Sequence, residues 1–190
     1  MGSERRIFQL KVTLRGSRPP IWRRVRVRSD IKLSRLHEIL QAVMGWTDSH
    51  LHQFEVGRTL YGLPDPEFPF DRKDERRVRL DEVLRRTKDL LRYEYDFGDG
   101  WEHDIVLEKI EAVVAGARYP WVVAGKRACP PEDCGGIHGF SGFLKAIRDP
   151  HHAEHRETLE WVGGRYDPEA FDVQERNRQI HGGWAPVRHA

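Results

Sequence analysis

Residues Tyr93-Glu94-Tyr95-Asp96-Phe97-Gly98-Asp99-Gly100-Trp101-Glu102-His103-Asp104-Ile105-Val106-Leu107 decide how this chain is built. Bulky apolar side chains fall on alternate positions on both sides of Gly98-Asp99-Gly100, the period-two spacing of strands with one buried face. The glycines supply the positive φ that a tight reversal needs, so the segment predicts a β-hairpin with an aromatic face on each arm.

Working outward, Phe8, Leu10, Val12 and Leu14 alternate with Gln9, Lys11, Thr13 and Arg15, which predicts a strand close to the start of the chain. Gly16 to Pro20 reads as a turn. Ile21 to Arg28 reads as a second strand, with Ile21, Val25 and Val27 on one face and Trp22, Arg24, Arg26 and Arg28 on the other. Leu36, Ile39, Leu40, Val43 and Met44 then take helical spacing up to Gly45, with Ser34 as the expected N-cap. Period two returns from Leu51 to Val56 and puts His50, His52, Phe54 and Val56 on one face. Pro64, Pro66 and Pro69 stand among charges between Gly57 and Arg77, predicting a long loop, and a short helix is expected from Asp81 to Lys88.

Beyond Val114 the pattern turns irregular, through Tyr119-Pro120 and Cys129-Pro130-Pro131-Glu132-Asp133-Cys134-Gly135-Gly136. Helical signals resume with Ser141 ahead of Phe143, Leu144 and Ile147, again with Leu159, Trp161 and Val162 before Gly163, and a third time near Asp172. Strands early and helices late predict an α+β fold: an antiparallel or mixed sheet, helices packed on one side, and a C-terminal third that is mostly helical. One domain is expected over residues 1–190, with 181–190 as a flexible tail.

Composition narrows the class. A chain of 190 residues buries roughly 70% of its unfolded surface. Six Trp, eight Phe and five Tyr exclude a disordered chain. No apolar run approaches the ~20 residues of a membrane helix, so no membrane partner is expected. Two cysteines are too few for a disulfide framework, and the expected location is the cytoplasm. Charge is uneven: residues 1–30 carry nine Lys/Arg against two acids, residues 93–172 eight against sixteen. The plain reading is mutual neutralisation in the fold; the alternative is contact with nucleic acid.

Three groups of residues can carry chemistry. His50 and His52 with Asp96, Asp99, Trp101, His103, Glu132 and Asp133 can form a ligand pocket between hairpin and loop. Within it, His50, His52 and His103, with Cys129 and Cys134, are the types that hold zinc or another divalent metal, although the C-x4-C spacing is wider than the usual zinc knuckle and no cofactor is identified by a motif. The competing structural reading makes these histidines hydrogen-bonded core residues. Trp22, Arg23, Arg24, Arg26 and Arg28 would form a phosphate-tracking ridge, or a strand face charged for solubility. No phosphate loop, G-x-S-x-G elbow or H-E-x-x-H motif is present.

Phe8 to Leu14, Pro20-Ile21-Trp22-Arg23-Arg24, Leu36-His37-Glu38, Gly45-Trp46, His50-Leu51-His52-Gln53-Phe54, Tyr93 to Trp101, Cys129 to Gly136 and Asp167 to Asp172 together resemble the plasmid pRiA4b open-reading-frame-3-like family, over about Ile7 to Ile180. The resemblance implies a compact α+β fold and a link to plasmids and mobile elements, and it brings no activity. Some relatives carry the label of a transposon passenger resolvase; this sequence lacks the H-x-x-R element and the Arg-rich Ser setting that recombinases use. Relatives often place a third cysteine where this chain has Trp121-Val122-Val123, and His138 stands where an aromatic residue is more usual. Three functions stay open: a non-enzymatic binding or adaptor module for a protein or small ligand, a metal-dependent hydrolase or nuclease using His50, His52 and His103 with Asp99 or Asp133 as base, and a nucleic-acid-binding protein using the arginine face.

Overall fold

The hairpin read from Tyr93 to Leu107 lies inside a larger sheet. In the computed structural model, which describes residues 6–64 and 72–182, β6 (Leu90–Tyr95) and β7 (Trp101–Ala112) pair antiparallel, with Tyr95 opposite Trp101, Tyr93 opposite His103 and Leu91 opposite Ile105. On one side β7 pairs with β1 (Arg6–Leu14), then β2 (Trp22–Arg28) and β8 (Trp121–Lys126); on the other β6 pairs with β3 (His52–Val56), then β4 (Thr59–Gly62) and β5 (Arg72–Asp74). Every neighbouring pair is antiparallel except β4 and β5, so the sheet is mixed.

One face of the sheet builds the core. Leu10 and Val12 from β1, Val25 and Val27 from β2, Tyr93 and Tyr95 from β6, and Trp101, Ile105 and Leu107 from β7 are buried together with Leu33, Leu36, Leu40 and Val43 of helix α1 (Leu33–Met44). α1 stops at Gly45, which takes the left-handed conformation (φ 96°) that a residue with a Cβ avoids. The other described helices are α2 (Leu80–Val83), α3 (Gly136–Arg148), α4 (His155–Trp161) and α5 (Val173–His181). None is long and apolar enough to cross a membrane.

The α+β class holds, and several local expectations change. Ser34 is not the cap of α1: Lys32 occupies that position without a side-chain bond, while the Leu33 N–H donates to the Val78 carbonyl, so tertiary pairing starts the helix. The expected loop after Gly57 contains β4 and β5; Pro66 and Pro69 lie outside the described residues, as do residues 183–190 of the expected tail. The helix expected from Asp81 is the single turn α2.

The irregular stretch after Tyr119 contains β8. It is an edge strand whose short apolar run, Trp121 to Ala124, stands between Pro120 and Gly125, and of that run Val122 is buried while Trp121 and Val123 are exposed. α3 begins at Gly136, which places Ser141 inside it. Near Asp172 the reading holds, since its carboxylate accepts from the Gln174 and Glu175 N–H groups at the start of α5.

Candidate functional site

The hairpin tip gathers polar residues from three segments. Its turn is closed by the Gly100 N–H donating to the Asp96 carbonyl at 2.6 Å, with Asp96 (φ 57°) and Gly100 (φ 63°) both left-handed. Asp96 Oδ1 accepts from the Gly98 and Asp99 N–H groups at 2.9 and 3.3 Å, an Asx turn that fixes the carboxylate and leaves Oδ2 to its other neighbours. The Asp96 N–H donates to the Leu51 carbonyl, which brings the segment before β3 alongside. His50 Nε2 consequently lies 3.6 Å from Asp96 Oδ2 and 3.1 Å from Asp133 Oδ1 of the cysteine loop.

That loop is pinned to the tip by several bonds. The Gly135 N–H donates to Asp99 Oδ2 at 3.2 Å. Gly136 is a steric requirement, because a Cβ there would meet the Asp99 carbonyl at 2.3 Å. Glu132 accepts from the Tyr95 hydroxyl and from Thr47, and the Trp46 indole N–H donates to the Pro130 carbonyl at 3.1 Å while its ring stacks on Tyr95. His50, Asp96, Asp99, Glu132 and Asp133 therefore share one place.

The remaining candidates go elsewhere. His52 stacks parallel on His37, ring centroids 3.5 Å apart, and its Nε2 lies 2.9 Å from Glu75 Oε2. Gln41 donates to the Tyr93 hydroxyl, which leaves the hydroxyl hydrogen for His37 Nδ1 at 2.8 Å and the imidazole proton on Nε2, donated to Asp48 Oδ1 at 2.7 Å. Burial lowers the His37 pKa, against the hydrogen bond to Asp48.

This buried network of Gln41, His37, Tyr93, His52 and Glu75 was missed in the sequence. Its one signal was the polar pair His37 and Gln41, four residues apart on a helix that is otherwise apolar toward the core.

The side chains of Trp101 and His103 are fully buried, and His103 only borders a small hollow of about 80 Å³ that it shares with Arg15, Gln53, Glu55, Arg92 and Glu102. Burial holds the His103 imidazole down to about 4. The metal set His50, His52 and His103 is thus corrected: the first is at the hairpin tip, the second is committed to Glu75, and the third is sealed beneath Trp46. Both cysteines are free thiols that burial pushes up to about 12, which opposes the thiolate form a metal requires.

One member of the arginine ridge is corrected as well. Arg23 points into the core, where its guanidinium donates to the carbonyls of Val43, Trp22 and Lys126 and lies 4.1 Å from the Phe171 ring centroid. Its partner is the carbonyl end of α1, a charge complement no strand periodicity reveals. Arg24 binds both oxygens of Glu108, Arg26 reaches Glu111, and Arg28 binds both oxygens of Asp30. Trp22 lies between Lys11 and Arg24. A hollow of about 670 Å³ over this face is lined by Arg24 and Glu108, which are matched to each other, and by Arg26, Lys88 and Lys109.

The cysteine loop borders two grooves of a different character. One, about 530 Å³, is lined by Met44, Pro130, Glu132, Asp133, Trp161 and Tyr166, with Arg176 also contributing; the second, about 370 Å³, is lined by Asp133, Cys134, Phe143, Glu154, Glu157 and Trp161. Asp133 and Trp161 belong to both. Trp161 is 52% exposed, its ring edge-on to Phe143. No Lys or Arg forms an ion pair with Glu132, Asp133, Glu154 or Glu157 among the described residues.

Comparison with known proteins agrees with this architecture. The chain is 44% identical over 176 residues to the uncharacterized protein y4hQ of Sinorhizobium fredii, covering 92% of this chain and 90% of that one. It superposes on the crystal structure of a protein of unknown function, MM3350 from Methanosarcina mazei Go1, with a TM-score of 0.83 and 35% identity, over 91% of this chain and 98% of that one. Residues 6–175 match the family described as plasmid pRiA4b ORF-3-like protein, and the chain belongs to that family.

Proposed function

We propose that this protein is a binding module that takes a cationic peptide segment of a partner protein into the double groove beside the cysteine loop. The observation that carries this reading is the contrast between the two charged surfaces. On the open sheet face, Arg24, Arg26 and Arg28 are each matched by a carboxylate. Around the groove, Glu154, Glu157 and Asp133 surround exposed aromatic and apolar surface without a guanidinium or ammonium partner among the described residues. Unmatched carboxylates beside an aromatic anchor suit a Lys or Arg next to an apolar residue. The groove volumes lie in the range of ordinary ligand sites. The half-buried thiols, held in the protonated form, and the buried His103 fit a binding role better than nucleophilic or general-base chemistry.

The test is fluorescence anisotropy with labelled short peptides that pair Arg or Lys with Leu or Phe, in a chelating buffer, against controls in which Glu replaces the cations. Glu154→Gln with Glu157→Gln is expected to weaken binding about ten-fold, ~1.4 kcal/mol, and Trp161→Ala to weaken it comparably. Equal binding of the acidic controls, or no change in the double variant, would remove the proposal.

A further inference from the structure

We propose that His50, Asp96 and Asp133 form a binding site for one divalent transition-metal ion at the hairpin tip. The site goes beyond the peptide groove and does not rest on it, since the two share only Asp133. One donor atom from each of the three residues lies within 4.8 Å of the other two. Donors bound to one ion at about 2.1 Å stand roughly 3–4.2 Å apart, so the 3.1 and 3.6 Å separations from His50 Nε2 are already those of a coordination shell.

The second observation concerns His50 itself. Its Nε2 is buried and has no hydrogen-bond partner among the described residues, although two carboxylate oxygens stand this close. The nitrogen is within reach of the carboxylates without being aligned to donate to either, the relation of ligands to a common ion rather than of a donor to its acceptor.

The surroundings divide the work among the ligands. The Asp96 side chain is only 9% exposed, and its Oδ1 is held by the turn N–H groups, so Oδ2 is presented rigidly. Asp133, with a side chain 70% exposed, leaves the outer side of the ion open to water or to a ligand atom. One imidazole and two carboxylates suit zinc, manganese or iron(II), with positions left vacant.

The other cluster of similar composition, His37, Asp48 and His52, does not qualify. An imidazole lone pair lies in the ring plane, and no single ion lies in the planes of two rings stacked 3.5 Å apart at 4°. Its two Nε2 atoms already face Asp48 and Glu75.

The experiment uses the full chain without a tag, stripped with a chelator, dialysed, and titrated calorimetrically with zinc and separately with manganese, the latter also followed by electron paramagnetic resonance. One equivalent should bind, and the affinity should drop by about ten-fold or more in both His50→Ala and Asp133→Asn. Asp133 is exposed, so its variant is expected to retain the wild-type melting temperature in chelator and thereby to separate ligand loss from unfolding. Binding well below one equivalent in the wild type overturns the site, as does unchanged affinity in either variant. Loss of binding in Cys129→Ser with Cys134→Ser, with His50→Ala unaffected, would move the metal to the thiols and overturn it equally. Because the peptide assay is run in chelator and its variants spare the metal ligands, either proposal can fail alone.

Discussion

Three histidines occupy three different environments: His50 stands at a surface turn beside two carboxylates, His52 faces the buried carboxylate of Glu75, and His103 is enclosed by packed side chains. His103 carries a consequence for stability. Burial holds its pKa at about 4, below the ordinary 6.5, so the unfolded chain takes up the proton first as pH falls. Its contribution is complete above about pH 6.5, declines below it, and is gone near pH 4; the gap corresponds to about 3 kcal/mol. His37, also lowered, acts with the same sign. Urea unfolding at pH 7 and pH 5 should show stability lower by about 2 kcal/mol at the acid end. A flat profile over that interval would contradict the burial of an uncharged imidazole.

At the scale of the element, the edge strand β8 shows how this sheet ends. Val122 turns its N–H and carbonyl away from β2, and the Asn177 side chain on α5 meets both, accepting at 2.8 Å and donating at 3.0 Å. An amide side chain therefore stands in for one residue of a ninth strand and closes a position where another chain could pair. Asn177→Ala should cost about 2 kcal/mol, because two buried backbone groups lose their partners, and should give the protein a concentration-dependent tendency to associate. Urea midpoints together with light scattering across a dilution series check both outcomes. Wild-type stability and scattering in the variant would show that the edge needs no cap. The pairing joins residues 55 positions apart, so no local pattern announces it.

At the scale of the whole molecule, the sheet is strongest in its middle and loosest where the grooves lie. β7 pairs with β1 along nearly its whole length and with β6 on its other side. α4 has no buried residue, and its Trp161 rim is exposed. Hydrogen exchange should therefore be slowest at Ile105 and Leu107 in β7 and at Leu10 and Val12 in β1, and orders of magnitude faster in α4. Protection of α4 equal to that of β7 would mean that the groove wall is part of the cooperative core. The charge asymmetry resolves at this scale too. The basic strand β2 and the acidic strand β7 share the open face with β1 between them, so Arg24 reaches Glu108 across the intervening strand.

Elements whose physics is local could be read from residue order alone. Alternation at Phe8–Leu14, Ile21–Arg28 and Tyr93–Leu107, the helical spacing before Gly45, and the Asp172 cap all appear where periodicity and turn chemistry place them, and with them the α+β class. Residue order also grouped His50, Asp96, Asp99, Glu132 and Asp133 as candidates. Which of them meet was settled by the fold, and so were features that local pattern cannot carry: the capping of β8 by Asn177, Arg23 drawn inward by the end of α1, and His52 paired with His37. A strand's face depends on neighbouring residues, but a buried charge or imidazole is settled by whatever partner the fold brings to it from a distant part of the chain.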